Sequence, residues 1–260
     1  MDAAGSRHYP DKPVKVYLFG TCLIDLFWPQ AGLDAVRLLE REGIEVIYPA
    51  DQTCCGQPAH SSGFPEQSRA VALAQLALFP EPWPVVVPSG SCAGMMRQHY
   101  PDLFADDAQH LEQARALAER VFELSEFLVH VARVRLTDLG PATRVAVHTS
   151  CAARRQMGTH AHAGALLAQL SRVEVAVHEH EAECCGFGGT FSLKHPAISA
   201  AMAADKVEAI AQTGADTLLS ADCGCLLNLT HTIEKEGRRL PGEHLASFLW
   251  QRTGGEGGKA

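Results

Sequence analysis

VKVYLFGTC (Val14–Cys22) and RVAVHTSC (Arg144–Cys151) are each a short, mostly apolar run that ends one or two residues before a cysteine. Runs of this length, rich in β-branched and aromatic residues, read as buried strands. The first leads into a helical pattern with Leu33, Val36 and Leu39 on one face. IEVIYPA (Ile44–Ala50) and PVVVPS (Pro84–Ser89) are two further strands, separated by the helix-prone VALAQLALF (Val71–Phe79). The second half repeats the order with VEVAVHEH (Val173–His180) and DTLLSA (Asp216–Ala221). Its clearest helix is AISAAMAADKVEAIAQTGA (Ala197–Ala215), stopped near Gly214. Strands alternating with helices imply an α/β fold with parallel sheets.

Cysteines repeat on the same framework. Cys22, Cys54-Cys55-Gly56 and Cys92 are echoed by Cys151, Cys184-Cys185-Gly186 and Cys225, at offsets of 129, 130 and 133 residues. A fixed period of this kind marks a duplicated unit. The expected architecture is two similar βα-repeat halves, residues 14–139 and 143–250, with flexible tails at 1–13 and 251–260. A helical stretch, LEQARALAERVFELSEFLVHVARV (Leu111–Val134), is expected between them. Each cysteine falls just beyond the end of an expected strand. In open parallel sheets the strand carboxyl ends share one edge, and ligands bind there. Three distant segments can therefore bring four thiolates to one point in each half.

With 22 basic against 30 acidic side chains and a net charge of −8, the chain is a poor match for nucleic acid or an anionic membrane surface. No apolar run approaches the roughly 20 residues of a membrane span, and the N-terminus has no signal-peptide pattern. A cytoplasmic protein is expected. In a reducing compartment nine cysteines point to metal or redox chemistry rather than to a disulfide framework.

Cys₄ sets suit zinc or an iron–sulfur cluster. Structural zinc favours close C-x₂₋₄-C knuckles, whereas the close pairs here are vicinal. Neighbouring thiolates need a sharp turn, which the following Gly56 or Gly186 permits, and a polynuclear cluster accepts them more easily than one tetrahedral ion. The second pair continues as CGFGGTFSLK (Cys185–Lys194), whose amides, at Gly188 and Gly189 among others, can hydrogen-bond cluster sulfurs. A phosphate cradle is the competing reading of that loop, but no nucleotide fingerprint spacing is present.

CCGQP (Cys54–Pro58), PSGSC (Pro88–Cys92), HTSC (His148–Cys151), CCGFGGTFSLK (Cys184–Lys194) and CLLN (Cys225–Asn228) together resemble the duplicated cysteine-rich CCG-domain family. That group includes the iron–sulfur subunit of a bacterial L-lactate oxidation system and the B subunit of heterodisulfide reductase. The resemblance spans about Val14 to Trp250. It implies iron–sulfur clusters, one per half and of the 4Fe-4S type, held by Cys22, Cys54, Cys55 and Cys92 and by Cys151, Cys184, Cys185 and Cys225. It further implies an electron-transfer subunit, non-catalytic or co-catalytic, of a complex that oxidises L-lactate to pyruvate. The implied partners are the other subunits, a ferredoxin-like iron–sulfur protein among them.

The wider family's pattern ends in CxxC; here Met95 and Asn228 stand at the last position. Cys223 has no counterpart in the family pattern, although its position alone leaves it open as a ligand. A zinc-binding or cluster-assembly protein, and a thiol–disulfide reductase using the vicinal pairs, are the alternatives.

His148, three residues before Cys151, is placed to hydrogen-bond a cluster sulfur or carry a proton, or else to sit as a bonded core histidine. His60, His178, His180 and His195 lie in polar stretches where solvated imidazoles are the default. Arg154, Arg155 and Lys194 can offset cluster charge or hold a carboxylate, and a solvated helix face explains them nearly as well. Ser89 and Ser91 lack a G-x-S-x-G elbow and read as turn residues.

Overall fold

The computed structural model describes residues 7–255. Eight short strands form two four-stranded sheets: β1 (Lys15–Leu18), β2 (Glu45–Ile47), β3 (Val85–Val87) and β4 (Val121–Glu123) in the first half, and β5 (Thr143–Val147), β6 (Val173–Ala176), β7 (Thr217–Ser220) and β8 (Gly242–His244) in the second. Every pairing is parallel, and the orders are β2-β1-β3-β4 and β6-β5-β7-β8. The chain winds outward from β1 to β2 and then crosses to the other side for β3. Connections leaving β1 and β3 therefore diverge and open a crevice at the strand carboxyl ends. The second half repeats this between β5 and β7.

The halves share a core. Val16, Leu18 and Val86 of the first sheet belong to the same buried cluster as Val145 and Leu219 of the second sheet and Leu245 and Phe248 of the last helix. Helix Pro29–Arg41 packs along the last helix, Leu245–Arg252. Its buried face is Ala31, Asp34, Ala35, Leu38 and Leu39, whereas Leu33, expected on that face, is 52% exposed. Each half adds its own core: Phe79, Tyr100 and Phe104 in the first, Val207, Ile210 and Leu229 in the second.

One expectation is corrected. The helical stretch expected over Leu111–Val134 is broken by β4. Helix Ala108–Arg120 stops where the Arg120 guanidinium donates to the carbonyls of Trp83 and Phe79, and Val121–Glu123 then pairs with β3, fully buried. Tertiary pairing overrides a helix-prone sequence here. β8, three residues around Gly242, is too short to signal itself.

Residues 1–6 and 256–260 lie outside the described residues. From Arg7 onward the chain is packed: Arg7 Nη1 donates to Glu126 Oε1 at 3.0 Å, and the Tyr9 ring stacks on His130 at 4.3 Å. At the other end Arg252, 5% exposed, closes the last helix by pairing with Asp138. An ion pair in so dry a place ties the linker between the halves to the final helix, because either charge left alone there is costly.

Candidate metal centre

The CCG turns explain how vicinal cysteines serve one point. Gly56 and Gly186 take φ of +86° and +84°, the left-handed region that glycine enters without strain. Their amides donate back to Cys54 Sγ and Cys184 Sγ, each at 3.4 Å. Space is limited as well: a Cβ on Gly186 would lie 2.5 Å from the Ser199 carbonyl oxygen, too close to fit, and one on Gly56 3.2 Å from Ser68 Oγ, a tight contact. Outside the turns, Tyr100 Oη donates to the Cys55 carbonyl at 3.0 Å and Asn228 Nδ2 to that of Cys185 at 2.7 Å. Asn228, where the wider pattern has its last cysteine, thus braces the CCG loop.

Cys22 opens helix Cys22–Phe27 after β1, and Cys92 lies in helix Gly90–Gly94 after β3. Cys151 and Cys225 occupy the matching places on helices Cys151–Met157 and Cys223–Lys235. The thiols meet in chains: Cys22 with Cys54, Cys54 with Cys55 and Cys55 with Cys92, and likewise Cys151, Cys184, Cys185 and Cys225. Hydrogen bonds donated by the flanking thiols and by the glycine amide hold Cys54 and Cys184 far below the usual thiol range, while the same contacts and burial push Cys22, Cys55, Cys151 and Cys185 up.

The two sets open onto a single cavity of about 280 Å³ between the halves, lined by all nine cysteines together with Thr21, Ser89, Ser150, Asp222 and Phe187. Two reciprocal helix contacts enclose it. Helix Gly90–Gly94 packs on Cys151–Met157, and Cys223–Lys235 packs on Cys22–Phe27. The first contact is the closer: a Cβ on Gly90 would stand 2.4 Å from the Ala153 Cβ. Counting three residues beyond β3 and β7, Cys223 stands where the first half has Gly90. Cys223 is 3% exposed, and its thiol is pushed up by burial and by Asp222 and Cys92. It therefore feels a cysteine of the other half.

Asp222 and His244 were missed from sequence. Asp222, 4% exposed, accepts from Ser89 Oγ at 3.1 Å and from the Ser91 amide at 2.9 Å, fastening the second half to the start of the Cys92 helix. His244 Nδ1 accepts from the Ala246 amide at 3.1 Å, which leaves Nε2–H to donate to Pro88 O at 3.0 Å. The only sequence signals were an aspartate beside Cys223 and a histidine in a short unassigned segment.

Gly188 and Gly189, at φ +51° and +62°, fold the glycine-rich loop over the cavity, with Gly189 against Pro58 of the first half. His148 is 1% exposed, and neither ring nitrogen has a hydrogen-bond partner. A ring nitrogen of His148 lies within 4.8 Å of the Cys185 and Cys225 sulfurs. Burial, then the charges of Lys206 and His178, hold its pKa down at about 3.

The other basic candidates are engaged elsewhere. His60 packs on His99, His180 bonds Glu183 at 2.9 Å, His195 packs on Phe191, Arg154 pairs with Glu181, and Lys194 lies over the Phe64 ring. Arg155 is exposed, though its charge reaches Cys151. His178 is buried rather than solvated.

Four soft sulfurs per set, amides aimed at two of them and an orphaned imidazole beside the second fit a thiolate-held metal or cluster. A family model described as a cysteine-rich domain, CCG, matches residues 16–97 and again 145–230, the two halves described above. The chain belongs to the CCG cysteine-rich domain family. Among curated relatives, this CCG protein is 43% identical to lactate utilization protein A of Shouchella clausii over 91% of its length and 98% of the relative's. It is 39% identical to the Bacillus subtilis protein of the same name, over 92% and 100%. The fold also matches a hypothetical protein from Helicobacter pylori, with a TM-score of 0.68 at 12% identity over 96% of this chain. The CCG protein spans about half, 51%, of that solved chain. Among the described residues no helix is long and apolar enough to cross a membrane.

Proposed function

We propose that this CCG protein is the iron–sulfur electron-transfer subunit of a cytoplasmic complex that oxidises L-lactate to pyruvate. The reading has one 4Fe-4S cluster per half, held by Cys22, Cys54, Cys55 and Cys92 and by Cys151, Cys184, Cys185 and Cys225. The observation that carries it is the pair of complete four-cysteine sets facing one enclosed cavity. A bound cluster supplies one-electron storage. The chain's own residues hold the sulfurs, with Gly56 and Gly186 donating to them, Gly188 and Gly189 closing the loop above, and His148 offering an imidazole to the second set. The name shared by the relatives supports a role in lactate utilisation. Partner subunits, including a ferredoxin-like iron–sulfur protein, would then deliver and remove the electrons.

The test is iron and acid-labile sulfide per chain in anaerobically purified full-length protein, with its visible spectrum. Brown protein whose sulfur-to-iron absorption bleaches on reduction is expected. Colourless protein carrying stoichiometric zinc after iron-supplemented anaerobic expression would overturn the proposal. In the same assay Cys225→Ser should lose the second centre, since a hydroxyl is a hard, protonated substitute for a soft thiolate. Cys223→Ser should keep iron near wild type, and the reverse result would move the ligand assignment by two residues.

A further inference from the structure

We propose that the two centres are electrostatically non-equivalent, and that Lys206, with His148 behind the sulfurs, makes the second-half centre the one that accepts an electron first. This rests on the iron–sulfur reading above. It concerns which of the two sets holds the charge, a matter that the duplication by itself leaves symmetric.

Matching the halves residue by residue exposes the difference. His148 precedes Cys151 by three residues, and Phe19 precedes Cys22 by three. Gly186 abuts the Ser199 carbonyl as Gly56 abuts that of Ser68, and Lys206 and Gln75 each follow that serine by seven residues. His178 and Pro49 each lie two residues beyond their strands. At these matched positions the second half thus carries an ammonium and two imidazoles where the first carries a phenyl ring, an amide and a pyrrolidine. Gln75, fully buried, spends its amide on Thr53 Oγ1 at 2.9 Å.

Lys206 is 1% exposed on a helix face with Ala203, Val207 and Ile210. Its ammonium donates to the His180 carbonyl, and among the described residues no carboxylate lies within ion-pair distance of it. A buried cation without a counter-ion is expensive. The anionic groups that act on it are Cys185, Glu183, Cys225 and Cys184. Glu183 is exposed and its charge is screened by solvent, so the buried part of the charge that balances Lys206 is the thiolate set and whatever that set holds. Reduction adds one negative charge to a centre, and a fixed positive charge nearby in a dry interior favours that product. Net charge and hydrogen bonds to sulfur are the levers that set such potentials. His148, with both nitrogens unpartnered beside Cys185 and Cys225, adds an N–H donor that Phe19 cannot. Lys206 acts through the cysteines and is a positioning residue.

The test is a redox titration of the anaerobic holoprotein with dithionite and mediators at fixed pH, followed by electron paramagnetic resonance. Each step transfers one electron from dithionite to a centre, with no bond made or broken. Two separate steps are expected, and Cys225→Ser should abolish the one at higher potential. Lys206→Gln, which installs the first half's residue, should shift only that step to lower potential, toward the other, with iron per chain unchanged. Lys206→Arg, which keeps the charge, should leave it near its original position. Gln75→Lys is a second probe and should raise the lower step. Loss of the lower step in Cys225→Ser would overturn the proposal, as would iron-replete Lys206→Gln with both steps unmoved. If Lys206→Gln does not fold, an unmoved lower step in iron-replete Gln75→Lys overturns it. Wild-type protein that binds no iron would instead sink the iron–sulfur reading itself, so the two failures are distinguishable.

Discussion

Replacing Asp222 with Ala tests whether the shared cavity depends on a single buried carboxylate. Asp222 holds the Ser89 hydroxyl at 3.1 Å and the Ser91 amide at 2.9 Å, both in the other half. Hydrogen bonds to a charged group contribute about 1.5–3 kcal/mol each, so the pair is worth roughly 3–6 kcal/mol before relaxation. Some is recovered, because Ser89 Oγ already lies 3.4 Å from Ser91 Oγ and can turn to it. The Ser91 amide loses the acceptor that Asp222 supplies. A net loss of about 2–4 kcal/mol follows. With a urea m-value of about 2–3 kcal/mol/M, that loss lowers the unfolding midpoint by roughly 1 M. Asp222→Asn, which keeps one acceptor oxygen, should lose about half as much. Urea unfolding of the anaerobic protein, with m checked for constancy, is the assay. A loss below about 0.5 kcal/mol, the reach of an ordinary surface substitution, would refute the idea that Asp222 fastens the halves.

Glu123 provides a pH prediction. It is 1% exposed, and burial pushes its carboxyl up to about 8 against an ordinary 4.5. The folded state binds that proton more tightly than the unfolded chain, so the stability it contributes is complete below about pH 4.5 and drains as pH rises through about 8. The wild type should lose up to about 1.4 kcal/mol per pH unit across that window, and Glu123→Gln should remove this part of the slope. Unfolding midpoints at pH 6, 7.5 and 9 check it, and parallel slopes in the two proteins would contradict it. Gly186→Ala must adopt φ near +84° and press on the Ser199 carbonyl, so it should cost more than about 2 kcal/mol and reduce iron in the second half. Gly56→Ala, which meets the movable Ser68 hydroxyl, should cost less. Midpoint and iron per chain measured on both variants would expose the reverse order.

The cysteine sets and the parallel βα framework were legible because each is carried by local signals: short β-branched runs, glycine after a vicinal pair, and a fixed offset between halves. What escaped is long-range. Val121–Glu123 lies in a helix-prone stretch, and only the edge of β3 makes it a strand. That the two sets share one cavity depends on small residues at the meeting helices, Gly90 against Ala153, and on Asp222 crossing to Ser91. No spacing rule connects such positions. His178 reads as a solvated imidazole and Lys206 draws no notice in sequence, because burial is a property of the packed structure. The pattern of divergence between the halves is itself informative. The two halves agree at the cysteines and at the glycines of the CCG turns, although Tyr100 braces the first CCG carbonyl and Asn228 the second. They differ at the residues behind the sulfurs, Phe19 against His148 and Gln75 against Lys206, and at Gly90 against Cys223, where the halves meet. On the proposed reading, sites that keep their cysteines while changing what surrounds them can hold the same group at two different potentials.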